Sequence, residues 1–241
     1  KTFEQAMNAS RNEIVFTTHT PVVQGNESHY IDRLLYMGAD NEAFNRSQLK
    51  QLGGSPFNMT VGALRLSRKS NAVAQLHAVT ANKMWEHVKG RSEIIGITNA
   101  IHLPTWVERP IVSAANNPSG EIWNLHQENK KRLINFIRER TGVKLRQDSL
   151  LIGFSRRAVP YKRSDFIFSD RSKVDKLFRS GKLQIVFSGK AHPLDDGGKR
   201  IVTNIVALTK RYPDSVVFLE NYDMTIGSML LRGSDVWLDN P

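Results

Sequence analysis

In the second half of the chain, short apolar runs alternate with longer stretches in which apolar residues return every three or four positions. Leu150-Leu151-Ile152-Gly153-Phe154, Leu183-Gln184-Ile185-Val186-Phe187, Val216-Val217-Phe218-Leu219 and Val236-Trp237-Leu238 read as buried strands. The segments between them, about 164–180, 196–211 and 223–232, carry the helical period. Strands alternating with helices of that length predict a parallel sheet with crossover helices, because parallel neighbours need connections of that size. All four strand exits then fall on one edge. They deliver Arg156-Arg157 with Lys162, then Gly189-Lys190-Ala191-His192, then Glu220-Asn221-Tyr222, then Asp239-Asn240.

The first half is less regular. Phe3, Ala6 and Met7 share a helical face through about Ser10, and the pattern reads as the end of a helix that begins upstream. Ile14-Val15-Phe16-Thr17 predicts a short buried strand that empties into Thr18-His19-Thr20-Pro21. From Ser28 to Leu52 the pattern is helical, with Leu34, Leu35 and Phe44 as core contacts, until Gly53-Gly54-Ser55-Pro56 breaks it. Asn58 predicts the cap of a helix through Leu64 and Leu66. A further helix is expected from about Asn71 to Val88, with Val73, Leu76, Val79 and Trp85 inward and His77 among them as a core histidine. Glu93–Thr98 predicts another strand, ending at Asn99-Ala100-Ile101-His102. Pro104, Pro110, Pro118 and Asn116-Asn117 predict a loop-rich crossing between domains, and Ser119 a cap for a helix to about Arg140 that Thr141-Gly142 stops.

Composition narrows the classes. At 241 residues with 40% hydrophobic content the chain can bury a real core. No apolar run reaches membrane-spanning length and Lys1-Thr2-Phe3-Glu4-Gln5 has no signal-peptide design, so a soluble, intracellular (cytoplasmic) protein is expected. The absence of cysteine removes disulfides, thiolate metal sites and a cysteine nucleophile. The net charge of +11 invites a nucleic-acid reading, but its distribution is focused. Residues 101–241 hold 23 basic and 15 acidic side chains, and four of those cations, Arg156, Arg157, Lys162 and Arg163, fall within eight residues that contain no acid. With no lysine-rich tail or basic–aromatic repeat, a local anion site accounts for the charge as well as a nucleic-acid face does.

That cationic loop follows a strand, where loop amides and helix N-termini already favour negative charge. Familiar phosphate motifs do not fit. No Gly-x-Gly-x-x-Gly follows a strand, and in Ser188-Gly189-Lys190-Ala191 no Ser or Thr follows the lysine, as a P-loop needs. No metal loop and no Gly-x-Ser-x-Gly elbow is present, and no metal site is expected. What remains would hold phosphate with fixed cations and a polyhydroxy ligand with Asn, Tyr and His, which suits group transfer between a sugar and a phosphate.

Eight consecutive motifs carry a resemblance. Phe16–Pro21, Phe57–Thr60, Leu64–Ser67, Ser70–Val73, Ile97–Trp106, Gly153–Arg163, Gly189–Pro193 and Phe218–Tyr222 resemble, in order and across nearly the whole chain, the bacterial α-glucan (glycogen, maltodextrin) phosphorylases. The resemblance implies a GT-B-like fold, in which 1–105 form the C-terminal part of a first, sugar-side Rossmann-like domain. Residues 106–241 would form most of a second such domain that binds phosphate and cofactor. It implies transfer of the terminal glucosyl unit of an α-1,4-glucan to inorganic phosphate, giving glucose 1-phosphate, with pyridoxal 5′-phosphate acting through its own phosphate. Carried over by position, Arg157 and Lys162 would bind the substrate phosphate, and Arg156 and Lys162 the cofactor phosphate. His19 and Asn99 would contact the transferred glucosyl unit, with His19 among the catalytic residues, and Tyr222 would lie against the cofactor. His77, Lys190 and His192 sit in family motifs without a sharp role. A glucan and phosphate are the implied partners, with neither nucleic acid nor membrane among them; a homodimer is compatible.

The sequence also departs from the pattern. Ala72 and Ala100 replace family glycines, Pro160 stands inside the cationic loop, and Asp223 stands where some members have an arginine. The family's cofactor lysine is expected beyond Pro241 and its glycine-rich phosphate loop before Lys1, so the resemblance implies an internal fragment, inactive alone. The alternatives are a nucleotide-sugar-dependent GT-B glycosyltransferase of the starch or glycogen synthase kind, and a non-catalytic basic module for polysaccharide or nucleic acid.

Overall fold

The computed structural model of the chain describes residues 2–20, 22, 25–39, 41, 43–116 and 121–240. It divides into two compact units, Lys1–Ile101 and His102–Pro241. Each is an α/β unit built on a parallel sheet.

The first unit runs α1 (Phe3–Arg11), β1 (Val15–Thr18), β2 (Ser28–His29), α2 (Ile31–Tyr36), α3 (Arg46–Gly53), β3 (Phe57–Asn58), α4 (Met59–Leu66), β4 (Lys69–Ala72), α5 (Gln75–Met84) and β5 (Ile94–Gly96). Helix α1 does not start upstream as expected. The Thr2 hydroxyl accepts from the Gln5 N–H and the Gln5 carboxamide accepts from the Thr2 N–H, a capping box that the Thr-x-x-Gln spacing encodes. Asn58 caps α4 as predicted, its side chain accepting the Val61 N–H at 3.0 Å.

Strands β1, β4 and β5 form the sheet in the order β1-β4-β5, all parallel. β1 is less buried than its apolar run suggests. Only Thr18 is fully covered, and Val15 is 55% exposed. The expected helix from Asn71 is a strand, β4, followed by a helix that starts at Gln75. The buried face also differs from the expected one: Ala78, Ala81 and Trp85 pack with Leu64, Ala72 and Ile94, while Leu76 and Val79 face solvent. Phe44, expected in the core, is exposed at the edge of Phe3, with ring centroids 6.1 Å apart.

The second unit runs α6 (Leu103–Trp106), α7 (Arg109–Ala115), α8 (Ile122–Thr141), β6 (Leu150–Ser155), α9 (Arg171–Arg179), β7 (Leu183–Ser188), α10 (Asp196–Arg211), β8 (Val216–Leu219), α11 (Met224–Gly233) and β9 (Val236–Trp237). The region read as a loop-rich crossing holds two short helices instead. Pro104 and Pro110 sit in their first turns, where a missing N–H costs nothing. The Asn117, Pro118 and Ser119 expectations lie outside the described residues. Helix α8 ends on Gly142 in the left-handed region, as predicted. The segment expected as one helix over 164–180 is a 3₁₀ turn, Phe166–Phe168, followed by α9.

The sheet order is β8-β7-β6-β9, every pair parallel, with Phe154 opposite Phe187 and Phe187 opposite Phe218. Helices cover both faces, which is why the strands read as near-continuous apolar runs. On one face Ile152, Phe154, Ile185 and Phe187 pack with Phe178, Ile205 and Tyr212. On the other, Leu151, Val186, Val217 and Leu219 pack with Leu133, Ile137 and Leu230. The parallel register brings all four strand exits to one edge. No described helix is long and apolar enough to cross a membrane.

Candidate functional site

In the second unit, the loop leaving β6 lies across the exit of β7. The Ala158 N–H donates to the Lys190 carbonyl at 3.0 Å. Gly189 has φ +144°, and a Cβ there would stand 2.1 Å from the Arg156 carbonyl oxygen, so only glycine permits this approach. Pro160 begins a 3₁₀ turn, Pro160–Lys162, and Arg163 ends it in the left-handed region at φ 47°.

The exit of β9 ties this loop down. Arg156 pairs with the Asp239 carboxylate and donates to the Asn240 carbonyl at 2.6 Å. The buried Asn240 amide donates to the Arg163 carbonyl at 2.7 Å. The two residues Asp239 and Asn240 therefore hold the cationic loop near both its ends.

A cleft of about 760 Å³ opens at this edge, lined by Ser155, Arg156, Arg157, Lys190, His192 and Tyr222 among others, with no carboxylate in its wall among the described residues. Arg157 is exposed, and its side chain makes no ion pair or hydrogen bond among the described residues. The Ser155 hydroxyl is buried without a partner among them. The His192 Nδ1 accepts the Leu194 N–H at 3.1 Å, which leaves Nε2 to carry the proton of the neutral ring. Tyr222 sits against the first turn of α11, so close to Gly227 that a Cβ there would be 2.6 Å from the phenol oxygen. The wall is thus cationic, with a hydroxyl and a flat ring beside it. It would take an anion carried on a ring-shaped or polyhydroxy group.

Lys162 is not in the wall. Its ammonium lies over the Tyr161 ring, 5.1 Å from the centroid.

In the first unit, His19 follows β1 and Asn99 follows β5, at the same edge of that sheet, with β4 between their strands. Both are exposed. The chain after β5 continues along the exit of β4: Ile97 donates to the Ala72 carbonyl at 2.9 Å and Asn99 to the Val73 carbonyl at 3.1 Å. His77, in the first turn of α5, accepts the Val73 N–H on Nδ1 at 3.4 Å, while its buried Nε2 has no partner among the described residues. It is therefore only half satisfied, and does not match the core histidine expected from spacing. Sequence reading misses the Ser155 hydroxyl and the tethering roles of Asp239 and Asn240. In the sequence those two residues are visible only as polar groups at a strand exit.

Comparison with known proteins finds relatives along the whole chain. No family model matches the chain. A glycogen phosphorylase of Aquifex aeolicus is 31% identical over 100% of this chain and 42% of its own length. A maltodextrin phosphorylase of Thermococcus litoralis is 29% identical over 99% of the chain and 34% of its own. The chain is a homologue of the glycogen and maltodextrin phosphorylases. An uncharacterised protein of Methanocaldococcus jannaschii is also 34% identical over 99% of the chain and 46% of its own length. The chain spans less than half the length of each of these relatives.

Three departures from the phosphorylase pattern have a structural account. Neither Ala72 nor Ala100 has a positive φ, so neither position needs glycine for backbone freedom. Pro160 takes the first position of a helical turn, which suits its fixed φ. Asp223 caps α11, accepting the Ile226 N–H at 2.8 Å, a role an arginine could not fill.

Proposed function

We propose that this chain forms part of the catalytic centre of an α-1,4-glucan phosphorylase, which transfers the terminal glucosyl unit of glycogen or maltodextrin to inorganic phosphate and yields glucose 1-phosphate. The observation that carries this reading is the carboxylate-free cationic cleft at the exits of β6 and β7, with Arg157 unpaired in its wall among the described residues. A dianionic phosphate there meets guanidinium and ammonium groups without a competing carboxylate in the wall, and bidentate contact to Arg157 orients its oxygens. Arg157 is assigned to the substrate phosphate, and Lys162 would join it by swinging its ammonium away from the Tyr161 ring. His19 and Asn99, at the sheet edge of the first unit, are assigned to the hydroxyls of the glucosyl unit.

The residues present also fit pyridoxal 5′-phosphate. The Ser155 hydroxyl, without a partner among the described residues, and the Arg156 guanidinium suit its phosphate, and the Tyr222 ring suits a flat heterocycle. Arg156, Lys162 and Tyr222 would hold it, and the group would supply a phosphate that exchanges a proton with the substrate phosphate. Arg157, with Lys190 of the wall and Lys162 swung in, would keep two anionic groups close together by offsetting their repulsion. A reaction that consumes inorganic phosphate and yields a phosphorylated sugar suits the cytoplasm.

The test is glucose 1-phosphate release from maltoheptaose by the full-length gene product with pyridoxal phosphate supplied, with and without inorganic phosphate. Release that depends on phosphate is expected. Glucosyl transfer from a sugar nucleotide with no phosphate requirement would overturn the proposal.

A further inference from the structure

The turn after β7 holds one ring of the cationic cleft in a single orientation. The His192 carbonyl accepts the Asp195 N–H at 2.9 Å, and the Asp195 carboxylate caps α10 by accepting the Gly198 N–H at 2.9 Å. On the other side of His192, the Lys190 carbonyl accepts the Ala158 N–H at 3.0 Å. His192 therefore stands between two anchored points, the cationic loop and the start of a 16-residue helix.

Within that turn the imidazole is engaged through one nitrogen. Nδ1 accepts the Leu194 N–H at 3.1 Å, and a ring nitrogen that accepts carries no hydrogen, so the neutral ring carries it on Nε2. Nε2 has no partner among the described residues. The ring lines the cleft beside Arg157 and Lys190, whose side chains are exposed and also without partners among the described residues. Those two bring charge at the end of long side chains with many rotamers, so they attract an anion strongly and aim at it loosely. His192 differs. Its side chain has two torsions, and the bond to Leu194 holds both.

From this geometry we infer that His192 is a further ligand of the substrate phosphate: its Nε2–H donates to a phosphate oxygen while Arg157 and Lys190 supply the charge. The inference rests on the phosphorylase reading for the identity of the anion as a substrate. One aimed donor fixes the rotation of a tetrahedral anion that cations alone would let turn, and so fixes which oxygen is presented for transfer.

The competing role for the ring is to brace its own turn. The two roles use different nitrogens, so two variants separate them. In asparagine the side-chain oxygen reaches the place of Nδ1 and can accept the Leu194 N–H, but nothing reaches the place of Nε2. In glutamine the amide nitrogen reaches the place of Nε2 and can donate, while the bond to Leu194 is lost.

The test is phosphorolysis of maltoheptaose at varied phosphate by the full-length gene product loaded with pyridoxal phosphate, beside calorimetric titration of the same samples with inorganic phosphate. His192→Asn and His192→Ala are expected to raise the phosphate KM about tenfold with the maltoheptaose KM unchanged, and His192→Gln to stay within about threefold of wild type. Melting temperatures are expected to run the other way, with His192→Asn nearest to wild type. Phosphate-dependent release with a phosphate KM unchanged in all three variants, or restored by Asn and not by Gln, would overturn this inference alone. Absence of phosphate-dependent release from the wild type would overturn the proposed activity, and the titration then decides on His192. Phosphate binding weakened by Asn and kept by Gln would leave the donor standing; equal binding in every variant, or none in the wild type, would overturn it as well.

Discussion

Gly189 and Arg156 approach so closely that a Cβ on Gly189 would lie 2.1 Å from the Arg156 carbonyl oxygen. This contact sets the height of the cationic loop above the β7 exit, and the Ala158 N–H to Lys190 carbonyl bond continues it. Gly189→Ala must therefore displace the loop as well as strain its own backbone at φ +144°. A loss of about 1–3 kcal/mol in urea unfolding is expected, with weaker phosphate binding in the same variant. Unchanged stability and unchanged phosphate affinity would show that the loop height does not depend on this glycine.

The two arginines of the loop are expected to separate in their effects. Arg156 is tethered to Asp239 and Asn240, whereas Arg157 has no partner among the described residues. Arg157→Ala should leave the melting temperature unchanged and raise the KM for phosphate about 10- to 100-fold, the worth of a charged hydrogen bond. Arg156→Ala should do both, raising KM and lowering the melting temperature, because it also releases the loop from the β9 exit. Phosphate saturation kinetics and calorimetry on both variants check the contrast. Equal melting losses would mean that Arg157 is structural.

The second unit is the more legible of the two in the sequence. Its strands are buried on both faces, so each appears as an apolar run, and the parallel alternation fixes which loops share an edge. That is why the apolar pattern alone gathers Arg156, Arg157, Lys190, His192 and Tyr222 at one edge, where the cleft lies. The first unit is harder. β4, Lys69–Ala72, has little apolar character because its neighbours in the sheet supply the contacts, so its last residues read as the start of a helix. The inward face of α5 is hidden for another reason, since it is made of the small Ala78 and Ala81 while the larger Leu76 and Val79 face solvent. Lys162 shows the limit of motif reasoning, since spacing brings it to the loop but cannot show that its ammonium lies over Tyr161. The tether from Asn240 to Arg163 joins residues 77 apart, and no local pattern carries such a pairing.

Asp223 is expected to act through the helix it caps. Its carboxylate accepts the Ile226 N–H at 2.8 Å, at the start of the helix against which Tyr222 rests. Asp223→Ala should lower stability by about 1 kcal/mol. Asp223→Asn or Asp223→Ser should retain most of that contribution, since both side chains can accept the same bond. Denaturant unfolding of the three variants tests this, and an equal loss in all three would exclude capping as the cause.

Acid sensitivity is the last expectation, and it follows from two carboxylates. For Asp235, burial pushes the carboxyl up, but hydrogen bonds from Lys130, His126 and the Leu151 N–H outweigh it and leave it below the ordinary carboxylate value. For Asp175, the hydrogen bond from Arg179, then those from Tyr212 and Arg211, hold it down to about 2. Each group binds its proton more weakly folded than unfolded. Its stabilising contribution is therefore complete above the ordinary value of 3.8 and is lost as pH falls below it, toward about 2 for Asp175. The melting temperature should be flat near neutral pH and fall steeply below about pH 4. Asp175→Asn should make that fall shallower. Asp235→Asn should also lower stability at pH 7, by about 3–5 kcal/mol, because it leaves the Lys130 ammonium buried at 3% exposure without its counter-charge. A pH profile of melting temperature for the three proteins decides the matter. Identical slopes below pH 4 would show that neither carboxylate carries the acid transition.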